Sequence, residues 1–294
     1  MPSRLIVLVV VVAGYLVPSV PAHASGPALI TGGITTHVVM PGDTLTSLAA
    51  RFGVDGATIV SDNHLVAGRS LEPGREILID NRHIAPATIA AGEIVINLPQ
   101  RMLFYGDGDD VLAYPIAVGR PTWQTPRGPF AIVERQQDPT WHVPASIRAE
   151  SARKGRELPL AVPPGPRNPL GRFWLGLSLG SIGIHGTVAP SSIYQTATHG
   201  CIRLQGDSIE DLYGRVDVGT RGRIVYEPIL MTASSDGIYL EVNRDVYGRA
   251  AKSPLPQVRE LARRLAVNDR IDWTVAEEVI ERREGIARRI SISH

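Results

Sequence analysis

Short strand-like segments, each bounded by turn residues, fill the middle of this 294-residue chain from Gly92 to about Glu227. Asp107-Gly108-Asp109 separates two of them, and an Asp-Gly pair of this kind favours a β-hairpin turn. Closely spaced short strands with turn signals predict a barrel or a sandwich and argue against a parallel α/β sheet. We therefore expect a mostly β fold with a minor α component, and a β-sandwich-like domain over residues 92–227. The segments are 93–97, 101–105, 112–119, 130–134 and 223–226.

The composition fits a globular chain rich in turns, with 29 glycines, 23 prolines and only 5% aromatic residues. A formal net charge of +1 argues against binding to nucleic acid, which requires a basic face. The eight histidines are scattered, and the sequence contains neither a zinc-binding His-Glu-x-x-His nor a phosphate-binding glycine loop. We therefore expect no metal and no cofactor.

Residues 1–24 are typical of a secretory signal. Arg4 supplies the basic start, Leu5 to Val17 form an apolar run, and Ala22-His23-Ala24 is a small-x-small cleavage site. The run is shorter than the roughly 20 residues of a membrane-spanning helix, and Pro18 ends it. The sequence therefore predicts cleavage rather than a retained anchor, and an exported, periplasmic protein without a stable membrane span.

Two smaller units flank the strand-rich region. Residues 36–80 predict a βααβ unit, in which residues 45–52 carry apolar side chains at helical spacing and Gly53 ends the first helix. Residues 228–294 predict a short α/β extension with a last helix from Thr274 to about Ile290. Within the strand-rich region, residues 146–170 are polar and rich in proline, so we expect a long loop over one face.

Cys201 is the only cysteine, and it stands in the segment Thr198-His199-Gly200-Cys201-Ile202-Arg203-Leu204. A single cysteine in an exported protein is buried and inert, paired with another molecule, or used in chemistry. The surrounding glycine and histidine residues favour chemistry. A free thiol has a pKa of about 8.5, so a nucleophilic cysteine needs a base close by.

His185 and His199 are the two candidate bases. His199 lies only two residues from Cys201, where contact is strained, whereas His185 can face the thiol from a neighbouring strand. We therefore assign the base to His185 and a supporting role to His199. Gly186 permits close approach of another chain segment, and its carbonyl is a candidate to orient the imidazole. No acidic third member is evident.

Gly200 and Arg203 complete the candidate site. Gly200 lacks a Cβ, so the backbone can turn sharply and point amides near Cys201 at a developing oxyanion. Arg203 places a fixed charge nearby, which could stabilise a thiolate or hold a substrate carboxylate. The alternative role for Arg203 is a surface ion pair.

The segments 185–187 and 198–204 resemble the signature of the L,D-transpeptidases, the YkuD catalytic domain. Residues 126–130, 165–171 and 218–220 supply further matches. The resemblance implies a β-sandwich-like fold with Cys201 as nucleophile and His185 as proton acceptor. With its flanking units, the chain is similar to the periplasmic ErfK/YbiS/YcfS/YnhG group.

The family's substrate is a peptidoglycan stem peptide. The resemblance implies that Cys201 attacks the L-centre carbonyl of diaminopimelate in a tetrapeptide stem and expels D-alanine, with sensitivity to carbapenems. An amine then resolves the thioester, either that of a second diaminopimelate in a 3-3 cross-link or a lysine of an envelope lipoprotein. Two alternatives stay open, an L,D-carboxypeptidase that uses water and a non-catalytic peptidoglycan-binding wall protein.

Residues 36–80 resemble a LysM domain through Pro41-Gly42-Asp43-Thr44-Leu45, Asn63 and Pro73-Gly74. The resemblance implies binding to glycan strands that contain N-acetylglucosamine. All candidate catalytic residues lie beyond residue 180, so we expect this unit to serve sacculus binding and to leave turnover of small soluble muropeptides mostly unchanged.

Overall fold

The computed structural model describes residues 29–86 and 88–292, so the predicted signal at residues 1–24 lies outside the described residues. Within these ranges the chain forms 19 strands and six α-helices, which confirms the mostly β prediction. No helix among them is long and apolar enough to cross a membrane.

The N-terminal unit has the predicted βααβ order, because β2 and β3 pair antiparallel and two helices lie between them. Helix α1 begins at a capping box in which Thr44 and Ser47 exchange side-chain-to-amide hydrogen bonds. It ends at Gly53, whose φ of 70° is left-handed. The elements are β1 (Ile30–Thr31), β2 (Ile34–Val38), α1 (Leu45–Phe52), α2 (Gly56–Asp62), β3 (Glu76–Asp80) and β4 (His83–Ile84).

The central unit contains an eight-stranded mixed sheet, and the predicted hairpin turn at Gly108 joins its second and third strands. Its elements are β5 (Ile94–Asn97), β6 (Met102–Asp107), β7 (Asp110–Pro115), β8 (Val118–Gly119), β9 (Gly128–Gln137), β10 (Trp141–His142), α3 (Ala145–Arg153), β11 (Ala161–Val162), β12 (Phe173–Leu177), β13 (Gly183–His185), β14 (Thr196–Thr198), β15 (Ile202–Arg203), α4 (Gly206–Arg215) and β16 (Arg221–Val225). The strand order is β15-β13-β12-β9-β16-β5-β6-β7.

The sheet curls until its two edges meet. Ala117, two residues after β7, exchanges backbone hydrogen bonds of 2.9 and 3.0 Å with Arg203 in β15 at the opposite edge. The enclosed core is apolar, and α4 covers it with Ile209 and Leu212. Each fully buried aliphatic side chain contributes about 1.5–3 kcal/mol to stability. Burial of this core therefore holds β13 and β15, which carry the candidate site.

The C-terminal unit packs two helices on a three-stranded sheet formed by β17, β18 and β19. The prediction that its last helix continues to about Ile290 is wrong. Arg283 adopts a left-handed φ of 47° and ends the helix, and the following residues return to the sheet as a strand. The elements are β17 (Ile229–Ser234), β18 (Gly237–Val242), α5 (Leu255–Arg264), α6 (Trp273–Arg282) and β19 (Arg288–Arg289).

A buried carboxylate joins the three units. Glu241 of β18 is 0% exposed and accepts hydrogen bonds from the Ile84 amide at 2.7 Å and the Gln100 side chain at 2.9 Å. His83 Nδ1 lies 3.2 Å from the same carboxylate. A buried polar group with several partners specifies one arrangement of its surroundings, because any displacement leaves it unsatisfied. The N-terminal unit is therefore docked onto the rest of the chain.

Candidate active site

Parallel pairing of β13 with β15 brings the candidate catalytic residues together. His185 pairs with Arg203 in register, so Cys201, two residues earlier, lies beside Gly183 at the same edge. Side chains two residues apart on a strand share a face. The arrangement places His185, Arg203 and Cys201 on the wall of one cavity.

His185 is 4% exposed, and its Nδ1 lies 2.7 Å from the carbonyl oxygen of Gly186. Because a carbonyl can only accept a hydrogen bond, Nδ1 carries the proton and Nε2 of the neutral ring holds the free lone pair. Burial, and next the positive charge of Arg203, lower the pKa of His185 to about 3. The imidazole is therefore neutral at physiological pH and able to accept a proton.

The Cys201 thiol is protonated at rest. Burial raises its pKa, and the Gly183 amide and the Arg203 charge only partly oppose this effect. Its Sγ lies 3.7 Å from the carbonyl oxygen of Ser181, to which the thiol donates. A protonated thiol beside a neutral imidazole differs from a preformed thiolate–imidazolium pair. If this thiol acts as a nucleophile, it must lose its proton as it attacks.

The turn before Cys201 is held by side-chain hydroxyl groups. Gly200 adopts a φ of 107°, which an L-residue with a Cβ rarely takes. Thr198 Oγ1 accepts from the Gly200 amide at 3.1 Å and donates to the Cys201 carbonyl at 2.6 Å. Thr125 Oγ1 donates to the Gly200 carbonyl at 2.9 Å. Among the described residues no acceptor engages the Cys201 amide, which leaves it available as an oxyanion donor.

Gly186 lies where two backbone segments touch. A Cβ at this position would come within 3.3 Å of the Leu170 carbonyl and 3.4 Å of the Gly171 Cα. The Asn168 side chain holds the same segment, since its amide donates to the Pro139 carbonyl at 2.7 Å. The glycine therefore lets residues 168–171 approach the candidate base closely.

His199 faces a carboxylate that was not identified from the sequence. Its Nε2 lies 2.8 Å from Glu150, which also accepts from Arg120 at 2.5 Å and from Lys154 at 2.6 Å. The hydrogen bond from Lys154, and next that from His199, lower the pKa of Glu150 to about 2. Trp123 packs edge-on against the His199 ring with centroids 5.0 Å apart. His199 thus connects the turn before Cys201 to α3.

The segment that contains Glu150 differs in part from the prediction. Residues 146–170 were expected to form a loop over one face, but α3 occupies residues 145–153 and β10 pairs with β11 around it. The sequence of this helix is polar and only weakly periodic, so it carries no clear helical pattern. The contacts of Glu150 with His199 and Arg120 hold the helix in place and explain why it forms. Ser146 and Ile147 of this segment line the cavity that also contains Cys201.

Arg203 is partly buried and has no carboxylate partner within the described residues. Its Nη1 makes one long contact of 3.4 Å with Ser192 Oγ, and its buried Nε lacks a hydrogen-bond partner. Burial lowers the pKa of this guanidinium. A surface ion pair is therefore not its role in this structure, and its charge stays available to an anion in the cavity.

The cavity around Cys201 has a volume of about 790 Å³. Three tryptophans line it, namely Trp123, Trp141 and Trp174. Trp174 stacks on the His185 ring at a centroid distance of 5.9 Å and donates to Glu134 at 2.9 Å. The cavity combines apolar walls with one unpaired cation, which suits an elongated ligand that carries a carboxylate.

Comparison with known proteins identifies the family of the chain. The sequence model for the L,D-transpeptidase catalytic domain, YkuD, matches residues 91–225, and that for the LysM domain matches residues 37–80. The chain is 35% identical over 258 residues to the probable L,D-transpeptidase ErfK/SrfK of Salmonella typhimurium, which covers 84% of this chain and 82% of the relative.

Two further relatives come from Escherichia coli. The probable L,D-transpeptidase YbiS is 31% identical over 227 residues, 74% of each chain. The probable L,D-transpeptidase YcfS is 32% identical over 211 residues, which cover 69% of this chain and 66% of the relative. These matches confirm the resemblance predicted from residues 185–187 and 198–204. The chain belongs to the L,D-transpeptidase family, whose members are acyltransferases, and carries a LysM domain before its catalytic domain.

Proposed function

We propose that the protein is a peptidoglycan L,D-transpeptidase in which Cys201 is the nucleophile and His185 the general base. The observation that carries the proposal is the shared wall of the cavity, where parallel strands bring Cys201, His185 and Arg203 together. The donor is a tetrapeptide stem, and the bond broken joins the L-centre carbonyl of diaminopimelate to the terminal D-alanine.

The first half-reaction forms a thioester. The Cys201 thiol gives its proton to the neutral His185 imidazole as Sγ bonds to the carbonyl carbon, and the Cys201 amide donates to the oxyanion. Collapse of this intermediate breaks the carbon–nitrogen bond, and the imidazolium returns the proton to the amine of the departing D-alanine. The protonation states described above suit this order, because neither group needs to be charged before the substrate arrives.

The second half-reaction transfers the acyl group to an amine. The amine attacks the thioester, gives its proton to His185, and Sγ leaves and regains that proton from the imidazolium. The acceptor is either a second diaminopimelate, which produces a 3-3 cross-link, or a lysine of an envelope lipoprotein.

Arg203 supports selection of the donor. Its guanidinium lacks a carboxylate partner and lies beside His185, so a stem-peptide carboxylate in the cavity would complete its hydrogen bonding. His199, Gly200 and Gly186 act through position. Gly200 shapes the turn before the nucleophile, Gly186 orients the base, and His199 ties that turn to α3.

The LysM and catalytic domains imply binding to peptidoglycan. We assign residues 36–80 to glycan contact, 92–227 to catalysis and 228–294 to a C-terminal extension. Asn63, one of the residues that resemble LysM, has a structural task, because its amide donates to Ile59 and Leu78 carbonyls at 2.9 and 2.8 Å. Export to the periplasm follows from this substrate.

Muropeptide profiling tests the proposal. Purified protein is incubated with peptidoglycan rich in tetrapeptide stems, and the products are separated by chromatography and identified by mass. Release of D-alanine with 3-3 linked dimers supports transfer to diaminopimelate, and tripeptide monomers alone would show hydrolysis by water. If wild-type protein releases no D-alanine and forms no adduct on Cys201 with a carbapenem, the proposed function is wrong.

A further inference from the structure

The chain segment between His185 and Cys201 runs through the interface with the N-terminal unit. Ile193 and Tyr194 of this segment are 1% and 2% exposed, and they pack in one apolar cluster with Ala50 of α1. A helical turn at residues 190–192 contacts the same helix. The N-terminal unit therefore touches the connection between the proposed base and the proposed nucleophile.

Tyr194 adopts a backbone conformation that needs external support. Its φ of 62° is left-handed, which is uncommon for a bulky residue. Arg101 supplies two contacts. Its Nη1 donates to the Tyr194 carbonyl at 2.9 Å, and its guanidinium lies 3.9 Å from the centre of the Tyr194 ring. At that distance the cation is attracted to the face of the ring.

Asp55 of the N-terminal unit orients this guanidinium. Its two carboxylate oxygens accept from Arg101 Nη1 at 3.1 Å and from Nη2 at 3.3 Å. A two-point contact fixes the plane of the guanidinium as well as its position. The orientation of the Arg101 guanidinium against Tyr194 is therefore set by the Asp55 carboxylate of the N-terminal unit.

A second contact fixes the chain on the other side of the nucleophile. Gln205, four residues after Cys201, donates from its side-chain amide to the Ala50 carbonyl in α1 at 2.8 Å. Downstream of Tyr194, β14 pairs with β8 and leads directly into the turn at Gly200. Both approaches to Cys201 are thus anchored to structure that the N-terminal unit supports.

We propose that Asp55 of the N-terminal unit acts through Arg101 and Tyr194 as a positioning residue for Cys201. The inference rests on the proposed function of Cys201 and His185. Without the Asp55 contact, Tyr194 relaxes from its left-handed conformation and the turn that follows shifts. Because a small displacement of a nucleophile costs rate rather than substrate affinity, kcat falls and KM stays unchanged. This replaces the expectation that residues 36–80 serve sacculus binding alone.

Matched Asp→Asn variants of the purified protein test the inference. Asp55→Asn removes the charge that orients Arg101. The control is Asp62→Asn, because Asp62 also lies in the N-terminal unit and also pairs with an arginine of another unit, Arg288, at 2.8 and 3.0 Å. The two carboxylates are similarly buried, at 18% and 16% exposure.

The assay measures kcat and KM with a soluble tetrapeptide muropeptide, beside sedimentation with sacculi. We expect Asp55→Asn to lower kcat about 3- to 30-fold with unchanged KM and sedimentation, and Asp62→Asn to retain the wild-type kcat. Should Asp55→Asn not fold, Arg101→Lys takes its place, since lysine cannot make the two-point contact.

Two results would overturn the inference. The first is a wild-type kcat in Asp55→Asn or, where that variant does not fold, in Arg101→Lys. The second is an equal loss in Asp62→Asn, which would indicate general undocking of the N-terminal unit. Failure of the proposed function itself is distinguishable, because wild-type protein would then show neither turnover nor acylation of Cys201.

Discussion

Acid should destabilise the protein through His185. The buried imidazole has a pKa of about 3, whereas the ordinary value is 6.5. In the unfolded chain the ring takes up a proton as the pH falls through 6.5, but in the folded protein it stays neutral until about pH 3. The unfolded state therefore binds more protons over this window, and the contribution of His185 to stability is complete above pH 6.5 and declines below it.

The loss of stability at about pH 5 follows from the interval between this pH and the pKa of His185 in the unfolded chain. Roughly 1.5 pH units at about 1.36 kcal/mol each correspond to about 2 kcal/mol of unfolding free energy. The measurement is urea unfolding of the wild type and of His185→Gln at about pH 7 and about pH 5. Glutamine does not titrate, so the wild type should lose about 2 kcal/mol more than the variant on acidification. An equal loss in both proteins would show that the imidazole is charged or solvated in the folded state, and would refute the neutral general base.

Three further predictions concern Cys201, the turn before it and the contacts that support this turn. Cys201→Ala should form no carbapenem adduct by intact-mass spectrometry while melting like the wild type. In the wild type, the thiolate absorbance should appear at a higher pH than for an ordinary cysteine, because burial raises the pKa of Cys201. An adduct on the variant, or a thiolate at neutral pH, would contradict the assignment. Gly200→Ala should lower the unfolding free energy by about 1–3 kcal/mol and abolish acylation, because alanine is strained at the Gly200 φ of 107°. Normal acylation of this variant would show that the turn tolerates a Cβ. Glu150→Gln should lower kcat by up to about 100-fold, because it releases His199 from α3. The control Lys154→Ala removes only the exposed partner of Glu150 and should retain activity. Equal effects of the two substitutions would assign Glu150 to stability alone.

Local signals in the sequence were sufficient to predict those elements that neighbouring residues in the chain stabilise. Helix α1 is capped by Thr44 and Ser47 and ended by Gly53, and all of these groups lie within ten residues of one another. The hairpin turn at Gly108 likewise depends on adjacent residues. The end of α6 was placed too late, because the chain leaves the helix to pair β19 with β18, a contact that no local pattern reveals.

Some residues of the candidate site could likewise be predicted from the sequence, and others could not. The lone Cys201 and the glycine before it indicate a nucleophile because their chemistry depends on residue type and immediate neighbours. Glu150 and Asp55 carry no such signal, since an exposed and a partly buried carboxylate look identical in a sequence. Their partners lie 49 and 46 residues away, and only the folded chain brings them together.

The sequence by itself determined the chemistry available to this protein, namely one thiol, two candidate imidazoles and a guanidinium close to the thiol, in a strand-rich chain. Tertiary structure decided the exposure and the protonation state of these groups. The curled sheet buries His185 and partly desolvates Cys201, so both are neutral at rest, because charging either group in a desolvated site costs free energy. It also decided that the N-terminal unit docks against the segments that flank Cys201. Burial and docking arise from contacts between residues far apart in the chain, and these contacts exist only once the chain is folded.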